Sequence, residues 1–106
     1  MPGISRRQQI EQMLEQDPED AFLQYALAME WMSEKEPAKA LAQLQQLLAM
    51  QETYVPAYLQ AGQLLAQLGQ PLEACILLDR GIQQARMQND VHAAEEMAGL
   101  RQSLTT

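Results

Sequence analysis

Cys75 is the only thiol in this chain and His92 the only imidazole, so nucleophilic or metal chemistry would have to start from one of them. His92 stands in an H-x-x-E-E run with Glu95 and Glu96, which puts potential ligands one helical turn apart. A zinc site wants three or four ligands, and no second His or Cys is placed to complete this one. Cys75 and His92 could pair as nucleophile and base, but nothing supplies an orienting third group or an oxyanion hole. No glycine-rich phosphate loop exists either. The residues therefore predict no catalytic group, no metal ligand, no cofactor and no enzyme. Cys75, beside Ala74 on a helix facing the packing, reads as a buried and inert thiol.

Composition narrows the classes further. The chain has 106 residues, 47% of them hydrophobic and only 5% aromatic, which suits one domain with a packed core. Ala, Leu, Gln, Glu and Met dominate while Val, Ile and Thr are few, so the expected class is all-α. Net charge is −7, from 14 acidic and 7 basic residues, and Arg6-Arg7 is the only basic pair. Nucleic acid and an anionic membrane surface are disfavoured as partners. The start MPGISRRQQIEQ has no apolar core of a signal peptide, and no run approaches the roughly 20 apolar residues of a membrane span. With one cysteine no intrachain disulfide can form, and a cytoplasmic protein is expected. The acidic run Glu11, Glu15, Asp17, Glu19, Asp20 reads mainly as helix-end chemistry, with attraction of a basic partner as a secondary role.

What positions these groups is a set of short helices. Asp17 and Pro18 read as cap and first residue of a helix. Pro37 and Pro71 restart helices after short turns, Pro56 opens another, and Gln88–Asp90 breaks the chain before the last. The punctuation predicts six helices, roughly 4–16, 18–34, 37–50, 55–68, 71–87 and 90–104, joined as antiparallel hairpins. A shift of 34 residues lays Pro37 on Pro71, Ala40 on Ala74, Leu44 on Leu78 and Ala28 on Gly62. Small residues recur where paired helices would cross. Gly62 is thus explained by close packing, and Gly69 by a positive-φ turn.

This pattern resembles the tetratricopeptide repeat (TPR), W-x2-L-G-x2-Y, then A-x3-F, then P. The better copy reads Tyr58-x2-Ala61-Gly62-x2-Leu65, then Ala74-x3-Leu78. The other reads Gln24-x2-Leu27-Ala28-x2-Trp31, then Ala40-x3-Leu44. Pro18 falls where a preceding repeat would close, whereas Glu52 and Arg86 replace that proline and Gln24 replaces the tryptophan. The resemblance spans about 21–86. It implies one domain: a half-repeat helix 4–18, a first repeat 19–52, a second repeat 53–87 and a capping helix 90–104, stacked as a short right-handed solenoid. Glu95-Glu96 occupy the L-G position, so the last helix leaves the register, with Ala93, Met97, Leu100 and Leu104 as its apolar stripe.

The resemblance also implies a function: non-covalent binding of a protein or peptide in a hollow lined by the second and fourth helices. Helix 18–34 carries two apolar stripes. Leu23, Leu27, Ala28 and Trp31 face the core; Phe22, Tyr25, Ala26, Met29 and Met32 lie on nearly the opposite side. On helix 55–68 the matching positions are Leu59, Gln60, Gln63, Ala66 and Gln67. Phe22, Tyr25, Met29, Met32, Leu59, Gln60, Gln63 and Gln67 are the candidate partner-binding residues. Three fates stay open for the stripe: a partner groove, a homodimer face, or burial under helix 4–16 or helix 90–104. Some family members clamp a carboxylate terminus with Lys, Arg and Asn on this face. Tyr25, Met29 and Gln60 stand there instead, so that mode is not expected.

Overall fold

Helix-forming sequence cut by five turns gives six helices in the computed structural model, which describes residues 3–105. They are α1 (Arg6–Gln16), α2 (Ala21–Ser33), α3 (Pro37–Met50), α4 (Val55–Gln67), α5 (Pro71–Met87) and α6 (Val91–Ser103). No strand occurs among the described residues. Each helix packs on the next in sequence, and α6 also touches α4. The all-α class and the stack of helical hairpins are as expected. No helix among the described residues is long and apolar enough to cross a membrane.

The turns are of two chemical kinds. After α2, α4 and α5 one residue takes a left-handed backbone: Lys35 (φ 60°), Gly69 (φ 81°) and Asn89 (φ 60°). The next amide then donates to a carbonyl five residues back: Glu36 to Trp31 (2.9 Å), Gln70 to Leu65 (2.8 Å), Asp90 to Ala85 (2.8 Å). This closure satisfies carbonyls that a helix end leaves free. After α1 and α3 the chain instead extends at Asp17 (φ −144°) and Gln51 (φ −138°). A side chain then stitches each of these turns. Gln24 Nε2 donates to the Pro18 carbonyl at 2.8 Å, and the Tyr58 hydroxyl donates to the Glu52 carbonyl at 2.6 Å. Both donors sit six residues after their acceptors and 34 residues apart, which explains how a buried Gln24 can stand at a tryptophan position.

One expectation is corrected at α2. Asp17 does not cap it, and Pro18 is not its first residue. Asp20 is the cap, its Oδ1 accepting from the Leu23 amide at 2.9 Å, while Asp17 ends α1. The Pro18 carbonyl is engaged by Gln24, so the proline belongs to the turn and α2 starts three residues later than predicted. Ser5 and Gln8 form a reciprocal capping box on α1.

The core forms where helices cross closely. Ala28, Ala40, Ala61, Ala74 and Leu78 are fully buried. A Cβ on Gly62 would lie 2.6 Å from Leu78 Cδ2, and one on Gly81 would lie 2.5 Å from Tyr58 Cβ and 2.7 Å from Met97 Sδ. Gly81 thus lets α4, α5 and α6 meet at one point. At the other end, Trp31 is flanked by the Arg7 guanidinium (4.4 Å) and the Lys39 ammonium (4.8 Å). Arg6–Glu30 (3.2 Å) and Arg7–Glu34 (2.8 Å) ion pairs fasten α1 along α2. Each pair keeps one partner exposed and the other half-buried, and contributes on the order of 1 kcal/mol or less. Ile10 is the one buried residue of α1.

Gly81→Ala should lower stability by about 1–2 kcal/mol in urea unfolding, since overpacking against Tyr58 Cβ outweighs the helix-propensity gain of about 1 kcal/mol. Lys35→Gly should raise stability by about 0.5 kcal/mol in the same assay, because it removes a side chain from a left-handed backbone.

Candidate functional site

The second apolar stripe of α2 is neither sealed inside the molecule nor wholly free. Phe22 is 68% exposed; Tyr25, Met29 and Met32 are half-buried, packed against the core edge. On α4, Leu59 and Gln60 are half-buried, and Gln63 and Gln67 are exposed. α1 does not cover this face: its polar and ionic contacts go to Trp31, Glu30 and Glu34 on another side of α2.

Two clefts open along the α2–α4 side. The first, of about 160 Å³, brings together Tyr25, Leu59 and Gln60 with Val55 and Pro56. Its far wall comes from α6, through Asp90, Ala93, Glu96 and Met97. The second, of about 350 Å³, joins Met32 and Gln67 with Leu64, Lys35 and Pro37. Phe22, Met29 and Gln63 line neither cleft. So α6, one of the elements that could have buried the groove, forms a wall of it instead.

The reason lies in α5. α3 has 14 residues and α5 has 17, so α5 runs three residues past the point that matches the end of α3. Its turn, through left-handed Asn89, is then of the kind that follows α2 and α4. α6 leaves in a new direction, caps itself with Asp90 Oδ1 on the Ala93 amide (3.1 Å), and buries Ala94 and Met97. Arg101 Nε reaches Asp79 Oδ1 at 2.7 Å and pins the far end to α5. The α6 contribution was missed from sequence, although Asp90 and Glu96 lie six residues apart on one expected helix.

The electrostatics of the first cleft are anionic. The Tyr25 ring sits 5.5 Å from that of Tyr54, at 51°. Burial raises the Tyr25 phenol pKa, with a hydrogen bond to Gln60 acting against it and Tyr54 adding a smaller upward push. Burial also raises that of Tyr54, and the nearby Asp20 charge pushes the same way. No Lys or Arg lines this cleft among the described residues.

The candidate reactive groups are kept apart in environment. Cys75 is buried among helix contacts, and the His92 side chain is 94% exposed, 3.9 Å from Glu96. Among the described residues no group of three His, Cys, Asp or Glu side chains is placed to hold a metal ion. A feature absent from the sequence reading lies on α5, where Leu72 (79% exposed) and Ile76 (65% exposed) face solvent. The positions 34 residues earlier hold Ala38 and Ala42, so α5 presents large apolar side chains where α3 has only methyl groups.

Comparison with known proteins agrees with this geometry. A tetratricopeptide repeat domain protein from Salinibacter ruber is 29% identical, matching 82% of this chain and 88% of its own, with a TM-score of 0.78. The chain is similar in sequence and in fold to tetratricopeptide-repeat domain proteins. A protein from Bordetella parapertussis shares this fold at 21% identity, over 97% of this chain and 90% of its own, with a TM-score of 0.82. The TPR2B domain of yeast Sti1, solved in complex with pHsp70, shares it at 18% identity over 93% and 79%, with a TM-score of 0.86. No protein-family model and no curated protein sequence matches this chain.

Absorbance titration should show Tyr25 and Tyr54 ionising above the ordinary phenol value near 10. Their folded pKa values are raised, so the unfolded chain loses these protons first. The stabilisation is present below about pH 10 and should decline as pH rises through the folded values. Cys75 should react with a thiol reagent only at the rate of protein unfolding; rapid native-state labelling would contradict its burial.

Proposed function

We propose that this protein is a non-enzymatic interaction module that takes a peptide segment of a partner protein in the groove between α2, α4 and α6. The observation that carries it is the two-sided apolar character of α2. One side, Leu27 and Ala28, is buried, while Phe22 stands in solvent and Tyr25, Met29 and Met32 are only half covered. Methionine side chains adapt to differently shaped apolar ligands, and exposed apolar surface of this kind marks interaction sites. Phe22, Tyr25, Met29 and Met32 act as anchors, with Leu59, Gln60, Gln63 and Gln67 adding a more polar edge. The structural likeness to a TPR domain solved with pHsp70 supports a protein ligand. In this reading α2–α3 and α4–α5 are the two repeats, α1 is a half-repeat in front, and α6 is the cap.

The test starts from peptides selected on the wild-type protein out of a random library displayed on phage. Tyr25→Ala/Met29→Ala should keep the helical circular dichroism spectrum and weaken binding of the selected peptides at least about tenfold, as loss of two interface anchors would. A folded double mutant with full affinity would place binding elsewhere.

A further inference from the structure

The first cleft is too small for the usual small-molecule site of roughly 300–1,000 Å³, and at about 160 Å³ it matches a single side chain. Its floor is apolar and aromatic, from Tyr25, Leu59 and Met97, and its rim carries the carboxylates of Asp90 and Glu96. An apolar floor under an acidic rim suits a side chain with a hydrocarbon stem and a cationic head. No Lys or Arg lines the cleft among the described residues, and Arg86, four residues before Asp90, lines separate hollows on α5 and α6. Lys35 lines the other cleft, and Arg101 is paired with Asp79. His92, 3.9 Å from Glu96, is almost wholly in solvent.

From this charge complementarity we infer that the Tyr25 end of the groove selects peptide segments carrying a Lys or Arg next to an apolar residue. The stem lies along Leu59 and Met97, the cationic head meets Asp90 and Glu96, and the Tyr25 ring adds a cation–π contact. The adjoining apolar residue packs toward Met29 and Phe22. Asp20, close enough to Tyr54 to act on its phenol, extends the negative field. The net charge of −7 steers a basic segment toward the protein at low salt. The inference rests on the groove reading above and specifies its ligand.

The experiment sequences peptides selected from the phage library on wild type and on Asp90→Asn/Glu96→Gln. Asparagine keeps the α6 cap, so the variant should remain folded. Wild-type selections should enrich Lys or Arg at one position beside an aliphatic or aromatic residue. The leading Lys peptide should bind the variant about five- to tenfold more weakly, and its affinity for wild type should fall with added NaCl. Its Lys→Met counterpart should bind both proteins equally. Selections rich in acidic residues or free carboxylate termini would overturn the inference, as would equal affinity of the Lys peptide for both proteins. If Tyr25→Ala/Met29→Ala still abolishes binding in those cases, the groove reading survives without the basic specificity. If that double mutation has no effect, or if nothing is enriched, both fail.

Discussion

Everything in this molecule depends on helices approaching closely enough that a single methyl group would collide. At Gly62 the obstacle would be Leu78, and at Gly81 it would be Tyr58 and Met97. These two glycines join three helices, α4, α5 and α6, into one tight unit. In the other hairpin α2 packs on α3, and Ala28 and Ala40 are fully buried there. Gly62 costs about 1 kcal/mol of helix propensity relative to alanine, and the close crossing offsets this through dispersion contacts and apolar burial around Leu78. Because the small residues draw the hairpins together on one side, the opposite faces of α2 and α4 are left without a partner from the same hairpin. The groove is a consequence of how the core is packed.

The turns decide what stands at the end of that groove. Extended turns stitched by Gln24 and Tyr58 pass from one hairpin to the next, and left-handed turns at Lys35 and Gly69 close a hairpin. The chain uses the closing kind once more at Asn89, after an α5 that is three residues longer than α3. The result is an α6 that leans against both α5 and α4 and lends Asp90 and Glu96 to the groove wall. α6 thereby changes the chemistry of the surface next to it, from apolar to apolar with an acidic rim.

Much of this was legible in the residues. Proline and glycine punctuation located six helices to within a few residues, because those residue types act through local backbone geometry. The small-residue crossings were readable because the 34-residue shift repeats them. Three features escaped for physical reasons. Asp20 rather than Asp17 caps α2, since the Pro18 carbonyl is taken by a side chain six residues later, a contact no local rule anticipates. Gly81 carries no turn signal and lies outside the repeat's small positions; only the meeting of three helices explains it. The acidic wall required knowing where α6 turns. The spread of Tyr25, Leu59 and Gln60 into one cleft and Met32 and Gln67 into another likewise depends on tertiary placement, although all five were picked from their helix faces.

The chain offers a second apolar surface, the Leu72–Ile76 ridge on α5, on an element that contributes nothing to either groove cleft. The decisive measurement is therefore one that reads both surfaces at once: methyl-resolved NMR of the protein as a tightly bound selected peptide is added. Binding in the groove predicts shifts concentrated at Met29, Met32, Leu59 and Met97, with Leu72 and Ile76 unmoved. Shifts concentrated at Leu72 and Ile76, with the methionine and Leu59 signals unchanged, would contradict it.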